Sequence, residues 1–177
     1  TVHQLPVIST GQDQEICLGE SVQLQAAGGV SYQWAPATGL SCTSCPNPTA
    51  TPTDTTTYVV IGSSTFGCIG YDTVVVNVKP LPTISAGSNQ MICGGDTAQL
   101  QATGGVSYTW TPSATLSCAA CPDPQATPVT PTTYTVTGTG DNGCTNTAQV
   151  TVSMHPQPVL TASDEDICIG DSVQLQA

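Results

Sequence analysis

The amino-acid sequence predicts an all-β protein in which small β-sandwiches follow one another along the chain. Two observations predict this fold: apolar and polar residues alternate in short runs, and a long segment recurs at a constant offset of 76 positions. Alternation with a period of two buries one face of a strand and exposes the other, as a sandwich of antiparallel sheets requires. Helical periodicity is absent from the sequence.

The repeat defines the expected domains. The segment EICLGESVQLQAAGGVSYQW of the first copy matches MICGGDTAQLQATGGVSYTW of the second, and a third copy opens with DICIGDSVQLQA. Short proline-containing junctions separate the copies, at Pro6, Pro82 and Pro158. We therefore expect one repeat at 1–81, a second at 82–157 and the first strands of a third at 158–177, in a longer protein. Such junctions favour a semi-rigid rod.

Each repeat contains five alternating runs that we interpret as strands. They are residues 6–10, 21–26, 31–36, 55–63 and 71–78 in the first copy, and 83–87, 97–102, 107–112, 132–138 and 147–153 in the second. The expected inward-facing side chains are Val22, Leu24, Tyr32, Trp34, Tyr58 and Val60, with Ala98, Leu100, Tyr108, Trp110, Tyr134 and Val136 as counterparts. A core of this size leaves a domain of about 76 residues marginally stable, so cross-links are expected.

Cysteines supply those cross-links. The chain has nine, a density that indicates an oxidising, extracellular compartment. Four cysteines in a repeat allow three pairings. We expect long bridges Cys17–Cys68 and Cys93–Cys144, short bridges Cys42–Cys45 and Cys118–Cys121, and a partner for Cys168 outside this chain. On the chain-entropy model a long bridge contributes roughly 4 kcal/mol and a short one about 2 kcal/mol.

The CxxC spacing of the short pairs has an alternative explanation as a redox or zinc site. A redox CxxC opens a helix in an α/β fold, whereas Pro46 and Pro122 follow these pairs in an all-β context. A zinc site needs two further ligands, and the other cysteines are expected to be paired. His3 and His155 lie at separate junctions, where we interpret them as solvated linker residues.

Charge limits the classes of partner. The formal net charge is −11 and Lys79 is the one basic residue, so the chain cannot neutralise a nucleic-acid backbone or an anionic membrane surface. No apolar run approaches the length of a membrane span. We therefore expect no nucleic-acid partner and no membrane insertion in this segment.

Acidic residues near the junctions could hold Ca²⁺, which binds oxygen ligands. They are Asp13 and Glu15 in the first copy and Asp164, Glu165 and Asp166 in the third. The second copy has Asn89 and Met91 at the matching places, so solvated turns explain the pattern as well, and no cofactor is expected elsewhere. No metalloprotease, nucleophile-elbow or phosphate-loop motif occurs, and we expect no catalytic residue and no enzyme activity.

The segments ICxGxSVQLQA, YxWxP, ATPxxTTTY and the GC dipeptide before the last strand resemble the PKD-like, immunoglobulin-like repeats of giant Bacteroidota surface proteins of the gliding-adhesin type. The resemblance covers both full copies and the fragment. It implies tandem immunoglobulin-like β-sandwiches that form an extended rod, with Trp34 and Trp110 as core tryptophans and Tyr58 and Tyr134 as tyrosine-corner residues. It also implies export by the type IX secretion route.

A further similarity concerns sugar attachment. Four segments with the order Asp, Ser or Thr, apolar or Thr resemble the O-glycosylation acceptor of that phylum, and their hydroxyl residues are Thr55, Thr73, Thr97 and Ser172.

These observations together predict a structural repeat segment of a secreted or surface-anchored adhesin or filament that extends from the cell and mediates attachment or motility. The expected partners are neighbouring repeats of the same chain, surface glycans or other cells, and further chains in lateral self-assembly. The alternative is a spacer or carbohydrate-binding module of a secreted multidomain hydrolase.

Overall fold

A computed structural model describes residues 2–156 and Ile169. The chain divides into two compact units. The first contains the chain through Ile84 together with Gly104–Val106 and Gly138–Asn146, and the second contains Ser85–Thr103, Ser107–Thr137 and the chain from Thr147 onward. The first unit thus includes two short segments of the second sequence repeat. The strands predicted for 158–177, with Cys168, Ser172 and Asp164 to Asp166, lie outside the described residues.

The first repeat is built from six strands. They are β1 Gln14–Cys17, β2 Val22–Gln23, β3 Ser31–Ala35, β4 Thr49–Ala50, β5 Thr56–Ser63 and β6 Ile69–Lys79. One sheet has the order β1-β6-β5-β3, in which β1 runs parallel to β6 and the other pairs are antiparallel. The other sheet pairs β2 with β4, and single bridges Ser9–Ala27 and Leu40–Ala50 extend it.

The second repeat has the same topology. Its strands are β7 Gln90–Ile92, β8 Ala98–Gln99, β9 Ser107–Thr111, β10 Gln125–Ala126, β11 Thr132–Thr139 and β12 Thr145–Met154. The sheet order is β7-β12-β11-β9, with β7 parallel to β12, and β8 pairs with β10. The described residues contain no helix, so none could cross a membrane. The fold is a tandem of immunoglobulin-like β-sandwiches, as the sequence predicted.

The two cores consist of the alternate side chains that the strand pattern points inward. Buried residues of the first repeat are Ile8, Ile16, Leu24, Ala26, Trp34, Ala50, Tyr58, Val60, Val74 and Val76. In the second they include Ala98, Leu100, Trp110, Ala126, Tyr134, Val136, Val150 and Val152. Most predicted core residues are buried, whereas Val22, Tyr32 and Tyr108 are only half-buried.

The start of each repeat differs from the prediction. Residues 6–10 and 83–87 form single bridges instead of strands, and the first true strand of each repeat, β1 or β7, comes several residues later. Ile8 packs into the space left by Gly62, where a Cβ would lie 2.3 Å from the Ile8 Cδ1 atom. Ile84 and Gly138 repeat this arrangement. The segment before β1 therefore closes the end of the sandwich with one apolar side chain.

Candidate functional site

In each sandwich, the two cysteines outside the CxxC loop lie at opposite ends. We call the end with the β5–β6 or β11–β12 turn the entry end, because the incoming chain reaches it: a Cβ on Gly70 would lie 2.3 Å from the Pro6 carbonyl oxygen. The other end, where β6 or β12 finishes, is the exit end. Cys17 lies at the exit end, because it is in register with Lys79, the last residue of β6. Cys68 directly precedes β6 and lies at the entry end.

A disulfide bond joins Cys17 to Cys144, 127 positions later, with 5.7 Å between the Cα atoms. The predicted bridges Cys17–Cys68 and Cys93–Cys144 are therefore wrong, and both Cys68 and Cys93 are free thiols. The bond lies within the first compact unit and connects β1 of the first repeat to the β11–β12 turn of the second.

Strand geometry explains why the predicted bridges do not form. Cys17 lies beside the last residue of β6, and Cys68 directly precedes the first. The eleven residues of β6 therefore place the two cysteines about 35 Å apart along the strand, at about 3.3 Å per residue. Bonded cysteines need Cα atoms within about 7 Å. The same holds in the second repeat, because Cys93 follows Ile92, the partner of Met154 at the end of β12, and Cys144 directly precedes β12. The sequence prediction failed because it did not include strands β1 and β7.

Hydrogen bonds hold the turn that carries Cys144. The Asn142 side-chain amide donates to the Pro80 carbonyl oxygen at 2.8 Å, and the Asn146 amide donates to the Pro82 carbonyl oxygen at 3.0 Å. The Cys144 backbone N–H donates to the Asn142 side-chain oxygen at 3.1 Å. Cys144 is 1% exposed. These bonds keep the entry-end cysteine of the second repeat beside the segment that links the repeats.

The exit-end cysteine is held by its own turn. The Glu20 carboxylate accepts a hydrogen bond from the Cys17 backbone N–H at 2.9 Å, and the Glu20 N–H donates to the Cys17 carbonyl oxygen at 3.0 Å. The next residue, Leu18, donates its N–H to the Lys79 carbonyl oxygen at 2.9 Å. The half-buried Cys17 is thus fixed at the point where β6 leaves the first sandwich.

The short CxxC loops support the core tryptophans. Cys42 bonds to Cys45 and Cys118 to Cys121, the two short pairs expected from the sequence. The Trp34 indole N–H donates to the Cys45 carbonyl oxygen at 3.0 Å, and the Trp34 backbone N–H donates to the Thr43 carbonyl oxygen at 2.7 Å. Each loop therefore satisfies the polar atom of a tryptophan that is 1% exposed.

The second repeat has the same tryptophan clasp, our name for a CxxC loop bonded to the indole. The Trp110 indole N–H donates to the Cys121 carbonyl oxygen at 3.0 Å, and its backbone N–H donates to the Ala119 carbonyl oxygen at 2.8 Å. This structural use explains the CxxC spacing without a redox or zinc site. Among the described residues, no three His, Cys, Asp or Glu side chains are grouped as metal ligands.

The two buried tyrosines differ from the tyrosine corner that the resemblance implied. The Tyr58 hydroxyl donates to the Thr38 carbonyl oxygen at 2.9 Å, which is 20 positions upstream instead of a few. The Tyr134 hydroxyl bonds to the Thr115 hydroxyl. Burial raises the pKa of the Tyr58 hydroxyl above its ordinary value. Each tyrosine thus connects the loop that follows the tryptophan strand to the four-stranded sheet of its repeat.

The acidic residues near the first junction have protein partners. The Asp13 carboxylate accepts a hydrogen bond from the Val75 N–H at 2.8 Å, and the Asn89 side-chain oxygen accepts the equivalent bond from the Thr151 N–H at 2.8 Å. Glu15 forms an ion pair with Lys79, and the hydrogen bond and charge of Lys79 lower the pKa of Glu15. Asp13 thus completes the hydrogen bonding of β6, a role that an asparagine fills in the second repeat.

The entry end of the first repeat carries an exposed aromatic side chain. His3 stacks on Phe66 with ring centroids 3.8 Å apart, and Phe66 is 67% exposed. The equivalent position in the second repeat is Asn142, 76 positions later. His3 is exposed, which agrees with the expectation of a solvated linker residue, and its ring also stacks on Phe66.

The candidate glycosylation residues lie in different surroundings. Thr55 is exposed, but its hydroxyl donates to the Asn77 side-chain oxygen at 2.9 Å and accepts from the Val78 N–H at 3.1 Å. Thr73 and Thr97 are exposed on a strand and beside a turn, respectively. Thr73 follows Asp72, whose carboxylate accepts hydrogen bonds from the Thr73 N–H at 2.8 Å and the Thr10 N–H at 2.9 Å. The structure thus leaves Thr73 and Thr97 as the more accessible residues.

Comparison with known proteins gives similarity in fold alone. No family model and no curated protein matches this chain. Among solved structures, the N-terminal Ig1-2 module of the Drosophila receptor protein tyrosine phosphatase DLAR is 12% identical with a TM-score of 0.37, covering 86% of this chain and all of that one. The two-domain IG1+IG2 structure of DIP-gamma is 11% identical with a TM-score of 0.39, over 87% of this chain and 99% of that one.

The insect immune protein hemolin is also similar, with 12% identity and a TM-score of 0.44 over 85% of this chain. This chain spans about half of the hemolin chain, 47%. At these values the assignment of the fold rests on the strand topology and buried tryptophans described above.

Proposed function

We propose that this chain is a structural repeat segment of a secreted or surface-anchored adhesin or filament that extends from the cell and mediates attachment or motility. The observation that carries the proposal is the Cys17–Cys144 bond, which links successive repeats covalently in addition to the peptide backbone. A bond of this kind serves a protein that is loaded along its length, because it shortens the covalent path through folded repeats. An isolated binding module has no need of it.

Single-molecule stretching tests this function directly. The segment between the two cysteines, 127 positions long, has an extended length of about 460 Å at about 3.6 Å per residue. Pulled from both ends, the oxidised chain should extend by about that much less than the reduced chain. Equal extensions in the two states would contradict a load-bearing role for the bond, and the C93S variant, which keeps the bond, is the matched control.

Surface location can be tested on the organism that makes the protein. We expect antibodies raised against the folded chain to label structures that project from intact cells, and to reduce attachment or movement when added to living cells. Antibodies against the reduced and alkylated chain are the control. Labelling confined to a soluble secreted protein would contradict the proposal. The Bacteroidota origin and the type IX route belong to the same proposal, and they rest on the resemblance of the repeat motifs.

The surface of the first repeat favours the alternative function in one respect. Tyr71 is 78% exposed on the outer face of the four-stranded sheet, directly opposite Ile61, which is 47% exposed. An exposed aromatic ring is a common surface for sugar binding, and this supports a carbohydrate-binding module of a secreted hydrolase. Pull-down on insoluble polysaccharides, with Tyr71→Ala as the matched variant, separates the two functions. Retention that depends on Tyr71 would support the alternative.

We extend the proposal to O-glycosylation, for which the exposed Thr73 and Thr97 are the accessible acceptors. Attachment of sugar to Thr55 would disrupt its bonds to Asn77 and Val78, which span two strands. Intact mass of the native protein tests this. A mass that equals the polypeptide alone would exclude modification at all of these residues.

A further inference from the structure

We infer that Cys93 and Cys68 belong to a continuing series of inter-repeat disulfides, in which the exit-end cysteine of each repeat bonds to the entry-end cysteine of the following repeat. The inference rests on the proposed function as a tandem structural repeat and gives it a specific partner chemistry. Cys17–Cys144 is the member of the series within the described chain. The partner of Cys93 is then the GC cysteine of a following copy, and the partner of Cys68 is the exit-end cysteine of a preceding copy.

The first line of support is the equivalence of Cys93 and Cys17. Each directly follows an isoleucine at the C-terminal end of the strand on the parallel edge, where β1 finishes at Cys17 itself and β7 at Ile92. The two cysteines are 76 positions apart. Cys17 is level with Lys79 at the end of β6, and Cys93 comes just beyond the pairing of Ile92 with Met154 at the end of β12. Cys93 is therefore exposed at the exit end of the second repeat, in the position where Cys17 is bonded.

The second line of support is the equivalence of Cys68 and Cys144. Both follow a glycine in the turn before the last strand, at 76 positions from one another. The turns share a backbone hydrogen bond: the Ser64 N–H donates to the Cys68 carbonyl oxygen at 2.8 Å, and the Gly140 N–H donates to the Cys144 carbonyl oxygen at 2.8 Å. Cys144 is bonded and 1% exposed, whereas Cys68 is a half-buried free thiol. The local backbone thus does not explain why one is bonded and the other is free.

Pairing within a repeat cannot complete the series. About 35 Å of β strand separates the two ends of each sandwich, which excludes Cys17–Cys68 and Cys93–Cys144. Phe66, 67% exposed at the entry end of the first repeat, is an apolar surface beside Cys68 that a preceding sandwich would cover. A second copy of the same repeat is the partner that presents a cysteine at the complementary end.

The chemistry is an ordinary oxidation of two thiols. The two sulfur atoms form one S–S bond, and their two electrons and two protons pass to an oxidant, whose own S–S bond breaks. The oxidant is a disulfide, either a thiol-disulfide oxidoreductase of the secretory compartment or oxidised glutathione in vitro, which is reduced to two thiols. Exchange proceeds through a mixed disulfide, and the exposed Cys93 is the accessible thiol for its first step.

Insertion of one further repeat into the full chain tests the inference. A second copy of residues 82–157, placed after residue 157, gives Cys93 a following repeat. In the inserted copy, Met91→Leu and Thr145→Ser change the peptide masses at exposed positions, so that the two copies can be told apart. The protein is folded with oxidised and reduced glutathione, free thiols are alkylated, and unreduced peptides are identified by mass spectrometry.

We expect two linked peptides, Cys17 with Cys144 and Cys93 with the inserted copy of Cys144, and nearly complete loss of Cys93 alkylation compared with the parent chain. The matched control carries Cys144→Ser in the inserted copy alone, and there Cys93 should again be alkylated. Recovery of Cys93 as a free thiol beside an intact Cys17–Cys144 bond would overturn the inference. A bond from Cys17 to Cys68, or from Cys93 to Cys144 of its own repeat, would also overturn it.

These failures are distinct from failure of the proposed function. Surface labelling and attachment do not depend on the state of Cys93. If cells are labelled on projecting structures while Cys93 stays free, the function stands and the disulfide series does not.

Discussion

The two repeats have the same tryptophan clasp and differ at the edge of the four-stranded sheet. In both, the core tryptophan is 1% exposed and its indole bonds to the last cysteine of the CxxC loop at 3.0 Å. At the edge, Asp72 of the first repeat binds the Thr10 N–H and hydroxyl, whereas Ala86 and Ala148 occupy the same places in the second. The comparison indicates that the sandwich depends on the shared tryptophan clasp, whereas the contact at the buried Thr10 varies between the two copies.

The outer face of the sheet varies as well. Ile61 and Tyr71 of the first repeat correspond to Thr137 and Thr147 in the second. The cysteines, by contrast, are conserved in position between the copies but not in state, since Cys17 and Cys144 are bonded while Cys93 and Cys68 are free. Whether such a cysteine is bonded or free depends on whether a neighbouring repeat supplies its partner, and this cannot be read from one repeat alone.

Breaking the inter-repeat bond should have the largest effect. On the chain-entropy model, a loop of 127 positions contributes about 5 kcal/mol, so Cys17→Ser should lower the free energy of unfolding by up to that amount. The equivalent change Cys93→Ser removes a free thiol and should change it by less than about 0.5 kcal/mol. Urea unfolding without reductant measures both. Equal effects of the two variants would show that Cys17 is not cross-linked.

Replacement of the core tryptophans should have equal effects in the two repeats. Trp34→Phe and Trp110→Phe each remove an indole donor and leave a cavity, which should cost about 2–3 kcal/mol. Circular dichroism follows unfolding of the whole chain, and fluorescence of the remaining tryptophan reports the unchanged repeat. A difference above about 1 kcal/mol between the variants would mean that the two clasps are not equivalent.

Removal of the Asp72 carboxylate should have a smaller effect on the free energy of unfolding. Asp72→Ala removes the acceptor of two bonds from Thr10 and should cost about 2 kcal/mol in urea unfolding. The second repeat offers a matched control, because Ala86→Thr with Ala148→Asp transfers the Thr–Asp pair to it. The free energy of unfolding of the double variant should be about 1 kcal/mol higher than the sum of the two single changes predicts. Additive single effects would show that the contact does not stabilise this edge.

The pH dependence of the same contact should be the smallest effect. The Thr73 N–H, and then the Thr10 N–H, hold the pKa of Asp72 below its ordinary value of 3.8. A carboxylate with a lowered pKa stabilises the folded state at pH values above the ordinary pKa, and this contribution is lost as pH falls through the folded-state pKa. The stability difference between the natural chain and Asp72→Ala should therefore be constant near neutrality and shrink below about pH 4. A difference that grows in acid would contradict this assignment.

The sequence predicted the fold and the short disulfides better than the long ones. Trp34 and Trp110 stand in alternating runs, so their burial follows from the period of two. The four residues of β1 include Gln14 and Glu15 and give no such signal, because their partner strand lies about sixty positions further along the chain. Without β1, the end of the sandwich on which Cys17 lies is unknown. The constant offset of 76 positions identifies equivalent cysteines in the two repeats, but it does not show which cysteine bonds to which.

The position of the Cys17–Cys144 bond has a consequence for damage to the backbone. Every exposed loop between these cysteines, including the Gly28–Gly29 turn and the loops around the CxxC pairs, lies inside the covalent ring that the bond closes. A protease that cuts one peptide bond inside the ring opens it without separating the N-terminal from the C-terminal side of the chain. A molecule with one cut inside the ring therefore remains in one piece until a reductant acts or a further cut releases a fragment.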